Sequence, residues 1–135
     1  MKKLSIAFVF AIGIVSASFT IMQQQAPKPW NVPDADAKKA NPVKSSSESI
    51  ASGKEVWSLH CMSCHGKTGL GDGKKAAQLK TQPSDFTKAS FQSQSDGSLF
   101  YKVVAGRGDM PSFKKKIPEK EDIWNVVNYM RTLKK

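Results

Sequence analysis

Residues 60–65 read HCMSCH, and every cysteine and histidine of the 135-residue chain lies in those six positions: His60, Cys61, Cys64 and His65. Such crowding limits what these groups can build. A structural zinc ion wants four ligands in a tetrahedron, usually as two pairs from separate segments, and no second pair exists here. A thioredoxin-like dithiol sits at a strand-to-helix junction, but no strand pattern surrounds this one. A Cys61–Cys64 disulfide would close a very short loop and staple little. There remains the spacing itself, Cys61-Met62-Ser63-Cys64-His65, a C-x-x-C-H run, which is the signature of covalent haem attachment. Two thiols three positions apart project from about one helical turn. They can reach the two vinyl groups along one porphyrin edge and form thioethers. His65, next in sequence, then lies under the ring with its imidazole toward the iron.

The flanking sequence is helical in pattern. Upstream, SSSESIASGKEVWSLHC places Ile50, Gly53, Trp57 and Cys61 at helical spacing, with Ser45 and Glu48 as a candidate capping box. Gly53 has no side chain, so a second helix can approach there. Downstream, HGKTGLGDGKKAAQLKTQPSDF carries several glycines but fails the phosphate-loop pattern, since Gly73-Lys74 is followed by Lys75 and position 68 is Thr. Its glycines read as turn formers. SDGSLFYKVVAGRG predicts a middle helix capped by Ser95 or Asp96, with Leu99, Phe100, Val103 and Val104 on its apolar face and Gly106 as its stop. PEKEDIWNVVNYMRTLKK predicts a last helix with Pro118 in its first turn. Its acids at the start and bases at the end complement the macrodipole. Ile123, Val126, Val127, Met130 and Leu133 form its apolar stripe. Met130 reads as core, since thioethers fill gaps well. The fold class is all-α.

The N-terminus begins with Lys2 and Lys3, continues as apolar sequence over residues 4–15, and offers Ser16-Ala17-Ser18 as small residues for cleavage. That is the pattern of a secretory signal. Read on to Met22, the apolar stretch is 19 residues long, just enough to span a bilayer as an uncleaved anchor. Both readings export the rest of the chain, and the small residues favour cleavage. Residues 23–47 carry four of the seven prolines and no apolar period, and read as an extended linker or arm in which Trp30 and Val32 are the sizeable apolar groups. Residues 48–135 are the folded unit, of a size that often recruits a staple or cofactor.

The net charge is +10, and residues 48–135 keep 15 basic against 9 acidic side chains. The lysines are scattered rather than gathered with aromatics on one face, which argues against nucleic acid as the partner. A basic surface that steers an acidic protein partner fits better.

Taken together, Cys61-Met62-Ser63-Cys64-His65-Gly66 with Met110-Pro111 downstream resembles the class I c-type cytochromes, and more specifically the small bacterial exported monohaem ones. The resemblance covers residues 48–135. It implies three main helices packed around one haem c, bound through Cys61 and Cys64, with His65 and Met110 as axial iron ligands. It implies that the first and last helices cross at Gly53, with Trp57, Val126 and Tyr129 beside the crossing. It makes the Pro83 carbonyl a candidate partner for the other nitrogen of His65. The function implied is single-electron transfer in the periplasm, by a soluble or membrane-anchored carrier with no catalysis of its own. Lys67, Lys74, Lys75 and Lys114, Lys115 and Lys116 could steer an acidic redox partner. A haem subunit of a larger membrane-associated oxidoreductase, or a ligand-binding haem sensor, are the alternatives.

The stretch GRGDMPSFKKK, residues 106–116, allows a rival reading, because Arg107-Gly108-Asp109 is an adhesion tripeptide. Short motifs recur by chance. With His60 misplaced beside the first cysteine and Met130 on the core stripe, Met110 is the candidate second ligand. Gly106 and Gly108 then supply the turns, Pro111 stiffens the loop, and Phe113 shields the pocket.

Overall fold

The computed structural model describes residues 28–135, so the export signal or anchor expected at residues 1–22 lies outside the described residues. Among the described residues all regular elements are helical. They are α1 (Asp34–Ala37), α2 (Ser47–His60), α3 (Met62–His65), a 3-10 turn (Ala76–Gln78), α4 (Ala89–Gln92), α5 (Asp96–Ala105) and α6 (Lys120–Thr132). An isolated antiparallel bridge joins Arg107 and Met110.

The scaffold is the crossing of α2 over α6. A Cβ built on Gly53 would lie 2.0 Å from the Asn125 carbonyl oxygen and 3.0 Å from the Tyr129 Cβ, so only glycine lets the two backbones meet. One turn on, the Trp57 ring packs on Tyr129 with centroids 5.7 Å apart. Val126 and Val127 are wholly buried beside them. The stripe of α6 is wider than apolar patterning shows, because Asn125 and Asn128 are buried in it. Ser49 Oγ donates to Asn125 Oδ1 at 2.6 Å, and Asn128 Nδ2 donates to Ser49 Oγ at 2.8 Å and to the Val43 carbonyl at 3.1 Å. Buried amides are tolerated when their donors and acceptors are engaged in this way.

Helix boundaries shift slightly from the sequence reading. Ser46, not Ser45, caps α2, its hydroxyl accepting from the Ser49 amide at 3.2 Å. Helix α6 begins at Lys120, and Pro118 precedes it rather than sitting in its first turn. The reason is local: the Lys116 and Ile117 amides both donate to the Phe113 carbonyl, so the chain is still completing a separate turn when it reaches Pro118. Ser95 caps α5 as expected, accepting from the Ser98 amide, and Gly106 at φ +66° ends it. Phe100 of α5 stacks on Trp124 of α6 with centroids 4.1 Å apart.

Residues 28–46 lie along this body. Where an extended segment is expected, α1 forms and packs on α5. The contact is so close that a Cβ on Gly97 would lie 2.2 Å from the Asp36 carbonyl oxygen. Ser95 Oγ donates to the Ala37 carbonyl at 2.6 Å. Asn41 Nδ2 donates to the Trp124 carbonyl at 3.3 Å and to Asn128 Oδ1 at 2.9 Å. The prolines prevent a long helix, but these backbone and amide bonds hold the segment without one.

Candidate functional site

The end of α2 passes into α3 by a single tight turn. The Cys61 carbonyl accepts from the Cys64 amide at 3.2 Å and the His65 amide at 3.0 Å. This brings Cys61, Cys64 and His65 to one side of the chain, as one helical turn demands. Trp57 Nε1 locks the turn by donating to the Gly66 carbonyl at 3.1 Å, and Gly66, at φ +80°, takes the chain away from it.

Both cysteines are unpaired thiols, Cys61 buried and Cys64 half-buried. Burial, reinforced by the neighbouring Cys64, pushes the Cys61 thiol up to about 12. Burial pushes the His65 imidazole down to about 4. The ring is therefore neutral at pH 7, the form that can donate a lone pair to a metal. His65 Nδ1 is buried and has no hydrogen-bond partner among the described residues. The bond suggested from the Pro83 carbonyl is not formed; that carbonyl sits against Gly71, 2.4 Å from where a Cβ would be.

Cys61, Cys64, His65 and Met110 all line one cavity of about 550 Å³. A second cavity of about 550 Å³ shares His65, Phe86, Val103, Met110, Met130 and Trp30 with the first. These volumes fall in the range of small-molecule and cofactor sites. Two free thiols, a neutral imidazole with an orphaned nitrogen, and a thioether on one cavity form a donor set that fits an iron porphyrin.

Met110 reaches the cavity through a loop built as the glycines predict. Gly106 and Gly108 have φ +66° and +58°. The Arg107 amide donates to the Met110 carbonyl at 2.8 Å, and the Met110 amide returns a 3.1 Å bond to the Arg107 carbonyl. Both charged members of the adhesion-like tripeptide are engaged within the chain. The Arg107 guanidinium donates to the Pro29 and Lys28 carbonyls at 2.9 Å each and lies 4.4 Å from the Trp30 ring centroid. The Asp109 carboxylate accepts from the Lys80 amide at 2.8 Å and the Thr81 amide at 3.2 Å. That leaves no free pair for an adhesion receptor.

Other sequence candidates fall into place around this. His60 stands against Phe113, ring centroids 6.1 Å apart, at the border of the first cavity. Phe113 is buried on the cavity wall, and Lys114, Lys115 and Lys116 are exposed beyond it. Met130 is buried on the core stripe and also lines both cavities, a double placement that periodicity does not reveal. Sequence reasoning missed Phe86, whose ring lies 4.8 Å from His65 and stacks on Phe91 at 3.8 Å. A lone aromatic in the polar run after Pro83 was the available signal. Among the described residues no helix is long and apolar enough to cross a membrane.

A family model described as cytochrome c oxidase, cbb3-type, subunit III matches residues 48–130. Among solved structures, the chain is similar to one from the Kuenenia stuttgartiensis reducing HAO-like protein complex Kustc0457/Kustc0458. The identity is 28% and the TM-score 0.63, over 70% of this chain and 47% of that one. The match thus spans about half the length of that relative. It is also similar to the KustC0563 c-type cytochrome, at 25% identity and a TM-score of 0.51, over 62% of this chain and 98% of that one. A comparison with curated proteins finds no match.

Proposed function

Because the chain belongs to the cytochrome c oxidase, cbb3-type, subunit III family and has a cytochrome c fold, we propose that it carries single electrons on a haem c held by Cys61, Cys64, His65 and Met110. It is a small monohaem class I c-type cytochrome, an electron carrier rather than an enzyme. The observation that carries the ligand assignment is the convergence of those four side chains on one cavity. Haem, when bound, supplies the iron that accepts and releases the electron. Cys61 and Cys64 would tether it, and the neutral His65 imidazole and the Met110 sulfur would bind its iron. His/Met ligation raises the reduction potential. With both side chains on the iron, no position on it would remain for a substrate. Trp57, Phe86 and Phe113 line the first cavity and would help keep water out of it.

The proposed division is a leader or anchor at residues 1–22, a Pro-rich segment at 23–47 that follows the domain from residue 28 onward, and a cytochrome domain at 48–135. Its proposed compartment is the periplasm, in soluble or tethered form. The exposed Lys67, Lys74, Lys75, Lys114, Lys115 and Lys116 would draw an acidic redox partner by complementary charge.

The test is Met110→Ala. The protein should keep its covalent haem, lose the far-red absorption band of a methionine–iron bond, and show a lower reduction potential. Survival of both band and potential would remove Met110 as the ligand. A second reading, a haem subunit fixed within a larger oxidoreductase, is favoured by the likeness to a chain of a named redox complex. Size-exclusion of native extract separates the two: a free carrier elutes as a small monomer, a subunit with its complex.

A further inference from the structure

The arm ahead of α2 and the loop that carries Met110 meet at one cluster. Trp30 lines both cavities, so part of the cavity wall comes from outside the matched residues 48–130. Two cations lie near its ring, with the Arg107 guanidinium 4.4 Å and the Lys102 ammonium 5.6 Å from its centroid. Arg107 also donates to the Pro29 and Lys28 carbonyls. The arm's other anchors fall on α5 and α6, through Gly97, Ser95 and Asn41. The cluster at Trp30 therefore does something those anchors do not. It holds the residue that opens the Met110 turn, three positions before the sulfur.

The electrostatics point the same way. Lys102 is half-buried, and its ammonium donates to Gln94 Oε1. Without the arm, Arg107 would face Lys102 with neither the ring nor the two carbonyls to offset the repulsion. It would turn to water instead and loosen the hydrogen-bonded turn that presents Met110. Planar guanidinium is suited to stacking on an aromatic ring while donating to two acceptors, which an ammonium does poorly.

We propose that Trp30 and Arg107 form a clasp by which the arm closes the cavity wall and positions Met110, resting on the reading of Met110 as an axial ligand. Both are positioning residues, acting through the turn that presents Met110. The clasp makes the affinity of the sixth position for outside ligands depend on the docking of the arm.

The test is imidazole titration of the oxidised, haem-loaded full chain. Trp30→Ala and Arg107→Ala should keep covalent haem and helical signal yet bind imidazole about tenfold more tightly, the scale expected for losing a cation–π contact and two charge-assisted bonds. Trp30→Phe keeps a ring for the guanidinium and should stay within about threefold of the parent. Linkage is reciprocal, so saturating imidazole should speed amide exchange at Asp36 and Ala37 of the unmodified chain, whose amides donate to the Pro33 carbonyl at the end of the clasped segment. That measurement decides the matter if the variants fail to fold. Unchanged imidazole affinity in both alanine variants, or unchanged exchange in the arm, overturns the clasp. Met110→Ala separates the failures. If its far-red band survives, the ligation reading falls and the clasp with it. If the band is lost while the Trp30 and Arg107 variants match the parent, the clasp alone is wrong.

Discussion

The two ends of α2 lie in opposite surroundings. Near Gly53 the helix meets α6 at backbone contact, and the polar groups between them bond to one another: Ser49 to Asn125, and Asn128 to Ser49, Val43 and Asn41. Past His60 the chain enters a wall of cavities where neither thiol is in a disulfide and, among the described residues, His65 Nδ1 has no hydrogen-bond partner. The crossing is finished by the chain's own atoms. The cavity end is built around something the chain does not supply. Interiors are normally packed to crystal density, so the contrast marks where a ligand belongs without reference to any motif.

The largest expected effect comes from denying the cavity its occupant. Without its occupant, apolar walls such as Phe86, Val103 and Phe113 would stand open to water, and unburied apolar surface costs a domain stability that is only about 5–15 kcal/mol in total. A Cys61→Ser/Cys64→Ser chain, unable to tether haem as proposed, should therefore lose fixed structure first around Phe86, Met110 and Phe113, while α2 and α6 keep the most protected amides. Hydrogen exchange reads this directly. Uniform loss across the chain would erase the distinction between the two ends.

The next largest tests the crossing. Gly53→Ala should gain about 1 kcal/mol of helix propensity but place a Cβ 2.0 Å from the Asn125 oxygen. Because backbone cannot yield as a side-chain tip can, the clash should dominate, with a net loss of about 3 kcal/mol in urea unfolding of the haem-loaded protein. A neutral or stabilising result would mean the helices separate freely there.

The smallest concerns pH and returns to the cavity. Burial holds the His65 imidazole down at about 4, against an ordinary value near 6.5. The folded chain thus binds fewer protons than the unfolded one between those values, and the contribution of this group to stability is present above about 6.5 and lost as pH falls toward 4. Iron bound to the same ring, as proposed, would compete further with the proton. Acid release of His65, followed by the main haem absorption band, should have its midpoint below about pH 4. A midpoint near 6 would mean the ring is reached by water.

The sequence exposed the cavity end better than the crossing. Cys61, Cys64 and His65 are chemically distinctive and local, and Met110-Pro111 stands out in its loop. Gly53 and Trp57 were legible through spacing and resemblance. The Asn41–Asn128 bond was not, because hydropathy counts Asn as surface and the partners are 87 residues apart. Gly97 carried a fainter signal: a glycine inside a helix costs stability, which points to a close approach that the arm then supplies. Arg107 and Asp109 read as an adhesion-like tripeptide or as loop residues, since what each one holds lies far along the chain.

That last pair has a dynamic consequence. One carboxylate, Asp109, accepts from the Lys80 and Thr81 amides while sitting inside the turn that carries Met110. The two loops that wall the cavity are thus fastened by a shared strut, and neither can swing outward without breaking the other's bonds. Outward movement of either loop must break both bonds, so a carrier that must exchange electrons without rearranging its pocket gains rigidity from a tripeptide that first read as an adhesion signal.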